Sequence, residues 1–290
     1  MAPTLDILQH RLRTLIPAQY QQTPATPASM GSAGLQYNAD GTVAWDKIWG
    51  SFCDLALAGG PPHKGTLLQP ASAADIASKH IPYQQVVREI CRGITLVTAL
   101  DDEPDTPGWV RLSCTSNVMA GWLLRAITTE NVAVRAEGST VYLPASPDYR
   151  LDKQIKNVIT VIAKTTHYWR DHIPASQQWA IADLFAEIEI ELPLLQPSND
   201  ASHDHYQRVA SLMQRSTDLL PIVPQYPGWL GVTCSNPQAA IDAMQYAVSQ
   251  NLLARREDTT LFLPLNPASD PDGRNLLRRI SSRKLRNALP

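Results

Sequence analysis

Apolar residues along this chain follow two spacings, and the switch between them outlines the elements. In residues 43–58, Trp45, Ile48, Trp49, Phe52, Cys53 and Ala56 fall at i, i+3, i+4, i+7, i+8 and i+11, one stripe at helical period. Gly59 and Gly60 stop that helix, since glycine takes the left-handed position after a helix without steric cost, and Pro61 and Pro62 prevent a restart. A short helix is predicted over 71–79. A longer one opens at Pro82, with Val86, Val87, Ile90, Cys91 and Ile94 on one face. The acidic run at 101–107 reads as a loop. The spacing then drops to two: Val110, Leu112 and Cys114 share a face of a strand over 109–114. Ser116 or Asn117 can cap a helix over 118–130, and strands at 132–137 and 140–143 meet at the hairpin turn Gly138-Ser139.

The second half repeats this order. Helices are predicted at 153–169, 177–187 and 205–220, a strand at 229–234, a helix at 237–250, a hairpin at 253–263 and a basic helix at 273–286. Shifted by 120 positions, residues 107–147 align on the later segment without a gap. Pro107, Gly108 and Trp109 fall on Pro227, Gly228 and Trp229, Cys114 on Cys234, and Arg135 and Glu137 on Arg255 and Glu257. With slightly different offsets, Tyr83-Gln84 matches Tyr206-Gln207, and Leu67-Leu68-Gln69-Pro70 matches Leu194-Leu195-Gln196-Pro197. The pattern therefore predicts an α+β protein made by internal duplication of a helix-helix-β-α-β-β-helix unit. An N-terminal helix and extended arm would occupy 1–42, a first repeat 43–152 and a second 153–290. The halves are expected to pack about a pseudo-twofold axis as one compact body, with antiparallel strands covered by helices.

Composition narrows the partners. A net charge of −2 gives no global attraction to nucleic acid or an anionic membrane, so nucleic acid is not expected as a partner. No apolar run of 18 residues occurs, and the N-terminus lacks the continuous apolar core of a signal peptide, so no membrane association is expected. The four cysteines, Cys53, Cys91, Cys114 and Cys234, lie far apart in apolar segments without CxxC spacing. They suit reduced, buried thiols in a cytoplasmic protein.

Candidate chemistry concentrates in a few places. Gly59 to Gly65 reads GGPPHKG, whereas the second half has AEIEIELP there. Asymmetry of this kind is expected when one copy keeps a site, with His63 as acid/base and Lys64 as an anion contact; the structural alternative is a helix stop and rigid turn. The strand-to-helix turns carrying Ser113 and Asn117 could hold an anion on free backbone N–H groups, although both residues also suit simple capping. Arg135 and Arg255 could converge on a carboxylate or phosphate, or serve only in ion pairs with Glu137 and Glu257. For metals, His167 and His172 are five apart and His203 and His205 flank an aspartate; neither has the spacing of a zinc site, so no metal is expected. Glycine-rich nucleotide loops and the nucleophile-elbow motif are missing, which leaves the cofactor, the ligand and the oligomeric state unknown. The leading expectation is a soluble cytoplasmic protein that binds a small anionic metabolite or cofactor at the junction of the duplicated halves. Were it an enzyme, His63 would move the proton. The alternative is a non-enzymatic regulatory or interaction module that docks through its basic C-terminal helix.

Overall fold

The computed structural model describes residues 34–50, 65–216 and 221–280. The chain divides into two compact units, one ending at Gln178 and one beginning at Trp179. Both mix helices with a small antiparallel sheet. Among the described residues no helix is long and apolar enough to cross a membrane.

The N-terminal unit opens with α1 (Trp45–Gly50), where Val43, Ala44, Trp45 and Ile48 are buried and the Trp45 indole donates to Glu89 Oε1 at 2.8 Å. The rest of the predicted 43–58 helix lies outside the described residues. The short helix α2 (Ala73–Ser78) is capped by the Ser72 hydroxyl, which accepts from Asp75 N. The long helix α3 (His80–Thr98) buries Val86, Val87, Ile90 and Ile94 and ends at Ala99 in the left-handed region.

The acidic run read as a loop contains a short strand, β1 (Asp102–Pro104), paired antiparallel with β2 (Trp109–Ser113). Its acids and its proline sit at a sheet edge, where unpaired backbone faces solvent and charge discourages pairing with another chain. The helix α4 (Asn117–Thr129) is capped by Ser116, which accepts from Met119 N. Strands β3 (Arg135–Glu137) and β4 (Thr140–Pro144) complete a sheet of order β1-β2-β4-β3. Val110, Leu112, Val141 and Leu143 are fully buried on its inner face.

Next comes α5 (Lys156–His167), flanked by π-helical turns at Leu151–Ile155 and Tyr168–His172. It packs on α3 and α4, and so completes the N-terminal unit although it follows the boundary at 152 drawn from sequence. The close approach depends on Gly93, because a Cβ there would collide with the Ile159 side chain. Lys164 of α5 and Glu130 form an ion pair at 2.6 Å, both buried.

The helix α6 (Ala175–Glu191) carries the chain into the C-terminal unit. There α7 (His203–Ser216), β5 (Trp229–Thr233), α8 (Pro237–Ser249), β6 (Arg255–Glu257), β7 (Thr260–Pro264) and α9 (Arg274–Ile280) follow in order, with sheet order β5-β7-β6. Leu184, Ile188, Val209, Met213, Leu230, Val232, Leu261 and Leu263 belong to one buried cluster that also includes Leu276, Leu277 and Ile280 of α9.

The two sheets share details beyond strand order. Trp109 pairs with Pro144 and Ser113 with Thr140, as Trp229 pairs with Pro264 and Thr233 with Thr260. Asn131 and Asn251 both adopt positive φ, 58° and 55°. Leu68 forms a parallel bridge to Val132, and Leu195 forms one to Leu252. Gly108 and Gly228 have φ of +90° and +73°, and a Cβ on either would lie 2.7 Å from a backbone carbonyl oxygen, that of Ala71 or Ser198. Both tight approaches therefore require glycine.

Candidate functional site

One stripe of α3 shapes a groove in the N-terminal unit. His80, Tyr83, Gln84, Val87, Arg88 and Cys91 recur at i, i+3, i+4, i+7, i+8 and i+11, so they line one side of the helix. Facing them are Asp102 and Pro104 of β1 and the turn residues Asp105 and Pro107, with Ile76 of α2 at one end. The groove encloses about 720 Å³, within the range of small-molecule sites, and its lining is mostly apolar.

The polar groups of this groove differ in how far they are engaged. Asp105 accepts from Arg135 Nη2 at 3.1 Å and from the Thr106 hydroxyl at 2.9 Å. Hydrogen bonding from the Thr106 backbone, then from its hydroxyl, together with Arg135 holds this carboxyl below the usual carboxylate range. Asp102 Oδ2 accepts from the Thr95 hydroxyl at 2.7 Å. The Tyr83 hydroxyl accepts the Gly108 N–H at 2.9 Å, and burial raises its pKa. Burial, reinforced by the neighbouring Asp102, pushes the Cys91 thiol up to about 12, so it is no nucleophile at neutral pH. His80 and Gln84 lie 3.5 Å apart between their Nε2 atoms at the solvent side. Arg88 is exposed on the rim and makes no ion pair with a described residue.

The residues singled out from sequence occupy several places. His63 and Lys64 lie outside the described residues. Ser113 ends β2 opposite Thr140, and Arg135 sits opposite Tyr142, so the two share the outer face of one sheet two rungs apart. Asn117 begins α4 exposed, while Ser116 does the capping. Of this set, Arg135 reaches the groove, through Asp105.

Its guanidinium lies over the rings of Tyr142 at 4.2 Å and Trp109 at 5.0 Å. Arg255 belongs to the other unit and sits deeper. Its side chain is 0% exposed, stacked over Phe262 (4.0 Å), Tyr226 (4.5 Å) and Trp229 (4.9 Å) and paired with Glu257 at 2.6 Å. Burial lowers its pKa from the ordinary arginine range. Both arginines are thus held by rings and a carboxylate of their own unit.

Cys114 and Cys234 are buried free thiols, raised by burial to about 12 and about 11. In α9, Arg279 is buried and donates to the backbone oxygens of Gln250 and Asn251, whereas Arg274 and Arg278 face solvent. The described part of the basic helix is therefore built into the core on one face.

Sequence reasoning missed His80, Gln84 and Arg88. The available signal was their own i, i+4, i+8 spacing beside the apolar stripe of the same helix. Set against known protein families, curated proteins and solved structures, the chain finds no match in any of the three.

Proposed function

We propose that this protein binds a small molecule with an apolar body and an anionic end in the α3 groove, and that its two units descend from one duplicated α+β unit. The observation that carries the binding reading is the groove itself, about 720 Å³ of mostly apolar wall with Arg88 on its rim. Of the two lining acids, Asp105 already faces Arg135, and Asp102 accepts a hydrogen bond from Thr95. Arg88 is the lining charge whose hydrogen-bonding capacity is still available, which favours a carboxylate, sulfonate or phosphate at that end of the ligand. The apolar body would lie along Val87, Pro104 and Pro107. The duplication is supported by the common register of the two sheets, the paired asparagines of positive φ and the two glycines forced against a carbonyl. His63 and Lys64 carry no part of this reading.

The probe 8-anilinonaphthalene-1-sulfonate, an apolar anion, tests it by fluorescence titration. One saturable site per chain is expected. Arg88→Glu should weaken it about tenfold or more, since a charge-assisted hydrogen bond contributes about 1.5–3 kcal/mol. Gln84→Trp should fill the groove and abolish binding, and Arg150→Glu, at an exposed site off the groove, should change nothing. Titrations that Arg88→Glu and Gln84→Trp leave unaltered would refute the assignment.

A further inference from the structure

His167 and His172 are five residues apart, a spacing that in an α-helix points side chains about 140° away from each other. Here the α-helix stops at His167 and continues as a π-helical turn over Tyr168–His172. Bonding from i to i+5 winds the backbone more widely and returns residue i+5 to the face of residue i. The two imidazoles meet there, with Nε2 to Nε2 at 3.2 Å, ring centres 5.0 Å apart and planes inclined by 62°.

Two reference geometries can be set beside these values. A straight hydrogen bond between coaxial rings at that separation would set the centres about 5.5 Å apart. A tetrahedral ion with metal–nitrogen distances of about 2.0–2.1 Å would set its two nitrogens about 3.3 Å apart and the ring centres about 5.2 Å apart. The observed ring-centre separation of 5.0 Å lies nearer the second arrangement, and the nitrogen separation of 3.2 Å is close to it.

The surroundings fix both rings. His167 Nδ1 lies 2.6 Å from Asp171 Oδ2, so Nδ1 carries the proton and Nε2 is free to coordinate. Arg170 bonds both oxygens of that carboxylate, at 3.2 and 3.3 Å, and keeps it behind the ring. On the other side His172 stacks on Tyr168 at 5.7 Å, and Tyr168 stacks on Trp122 at 5.8 Å. His172 is exposed and His167 half-buried, so an ion can reach both. Among the described residues no group of three His, Cys, Asp or Glu side chains gathers to hold an ion.

We propose that His167 and His172 form a two-imidazole site for a borderline divalent transition metal, Zn2+ or Cu2+, with Asp171 orienting His167 from outside the coordination sphere. The imidazole donors suit those ions, and the remaining positions belong to water or an external ligand. Without metal, His172 Nε2–H donates to His167 Nε2. Binding requires only that His172 move its proton to Nδ1, with no net proton release.

The experiment is calorimetric titration of Zn2+ into the untagged full chain, repeated with His167→Ala, His172→Ala and Asp171→Asn, each first matched to the parent by circular dichroism. One equivalent is expected to bind. Each histidine variant should lose at least tenfold in affinity, and Asp171→Asn should lose about tenfold, the lower end for an outer-sphere partner. Electron paramagnetic resonance of the Cu2+ form should show two coordinating imidazole nitrogens, reduced to one in His172→Ala. Absence of a stoichiometric site overturns the proposal, as does Zn2+ affinity unchanged in His172→Ala, which would assign the ion to other groups.

Discussion

The paired arginines allow one charge interaction to be weighed in two environments of the same chain. Glu257→Gln removes the charge facing Arg255 and keeps an acceptor of the same shape; Asp105→Asn does the same to Arg135. Arg255 is 0% and Glu257 13% exposed, whereas Arg135 and Asp105 retain 38% and 22%. When Glu257 loses its charge, little water can reach the guanidinium. Breaking a buried pair by removing one partner costs about 3–5 kcal/mol. The three rings around Arg255 offset part of this, since a desolvated cation–π contact contributes up to about 2 kcal/mol. The retained Gln acceptor also helps, so the lower end, about 3 kcal/mol, is expected. For Asp105→Asn, water and the Thr106 hydroxyl at 3.0 Å replace what is lost, and the cost should stay below about 1 kcal/mol.

Two compact units need not unfold together, so the measurement should resolve them. Denaturant titration read by hydrogen exchange, with peptides from 229–265 and from 102–144, separates the C-terminal from the N-terminal unit. At about 4–8 °C per kcal/mol for small domains, Glu257→Gln should also lower the melting temperature of its unit by more than about 10 °C. Equal costs for the two substitutions, or less than about 1 kcal/mol for Glu257→Gln, would refute the claim that burial sets the difference.

Two further outcomes follow from the geometry. Gly108→Ala and Gly228→Ala should each destabilise their unit by clearly more than about 1 kcal/mol, because positive φ is combined with a Cβ 2.7 Å from a carbonyl oxygen. Gly41→Ala, with φ of +81° but open space around it, should cost only the backbone strain, about 1 kcal/mol, in the same denaturant titration. At pH 8, a thiol-disulfide reagent should leave Cys91, Cys114 and Cys234 unlabelled in the native chain and label all three after denaturation, read by peptide mapping. Burial disfavours the thiolate, so these groups leave native stability level below the ordinary value of 9.0 and reduce it as pH rises from there through the folded values.

The mixed α+β character was legible because period and punctuation agree. Alternation at Val110 and Leu112, a capping serine before α4 and a glycine turn at 138 each point to the same element, and the structure has those elements. The edge strand β1 was illegible for the converse reason. Acids and a proline at 102–104 carry no inward alternation, and the strand exists because Asp102–Pro104 can pair with β2, a long-range contact that local pattern does not encode. The allegiance of α5 was hidden too. Its apolar face at Val158, Ile159 and Ile162 announces burial but not against what, and the answer rests on Gly93 in another helix leaving room for Ile159.

The candidate sites were harder to read because each arises where a regular rule is relaxed. His167 and His172 fail the i, i+4 test for a shared helical face and are brought together only by the widened turn at Tyr168–His172, which no residue type in that segment marks. In the groove, Arg88 and His80 look like ordinary solvent-facing residues of a helix until β1 rises opposite them. The arginines show the reverse. Arg135 and Arg255 stood out by matching under the shift, yet the match reflects a shared aromatic and acidic environment inside each unit. A residue held the same way in both units reports the scaffold. Chemistry particular to this chain is better sought outside that shared frame: in the groove beside β1, and in the π-helical turn after α5 that joins two histidines.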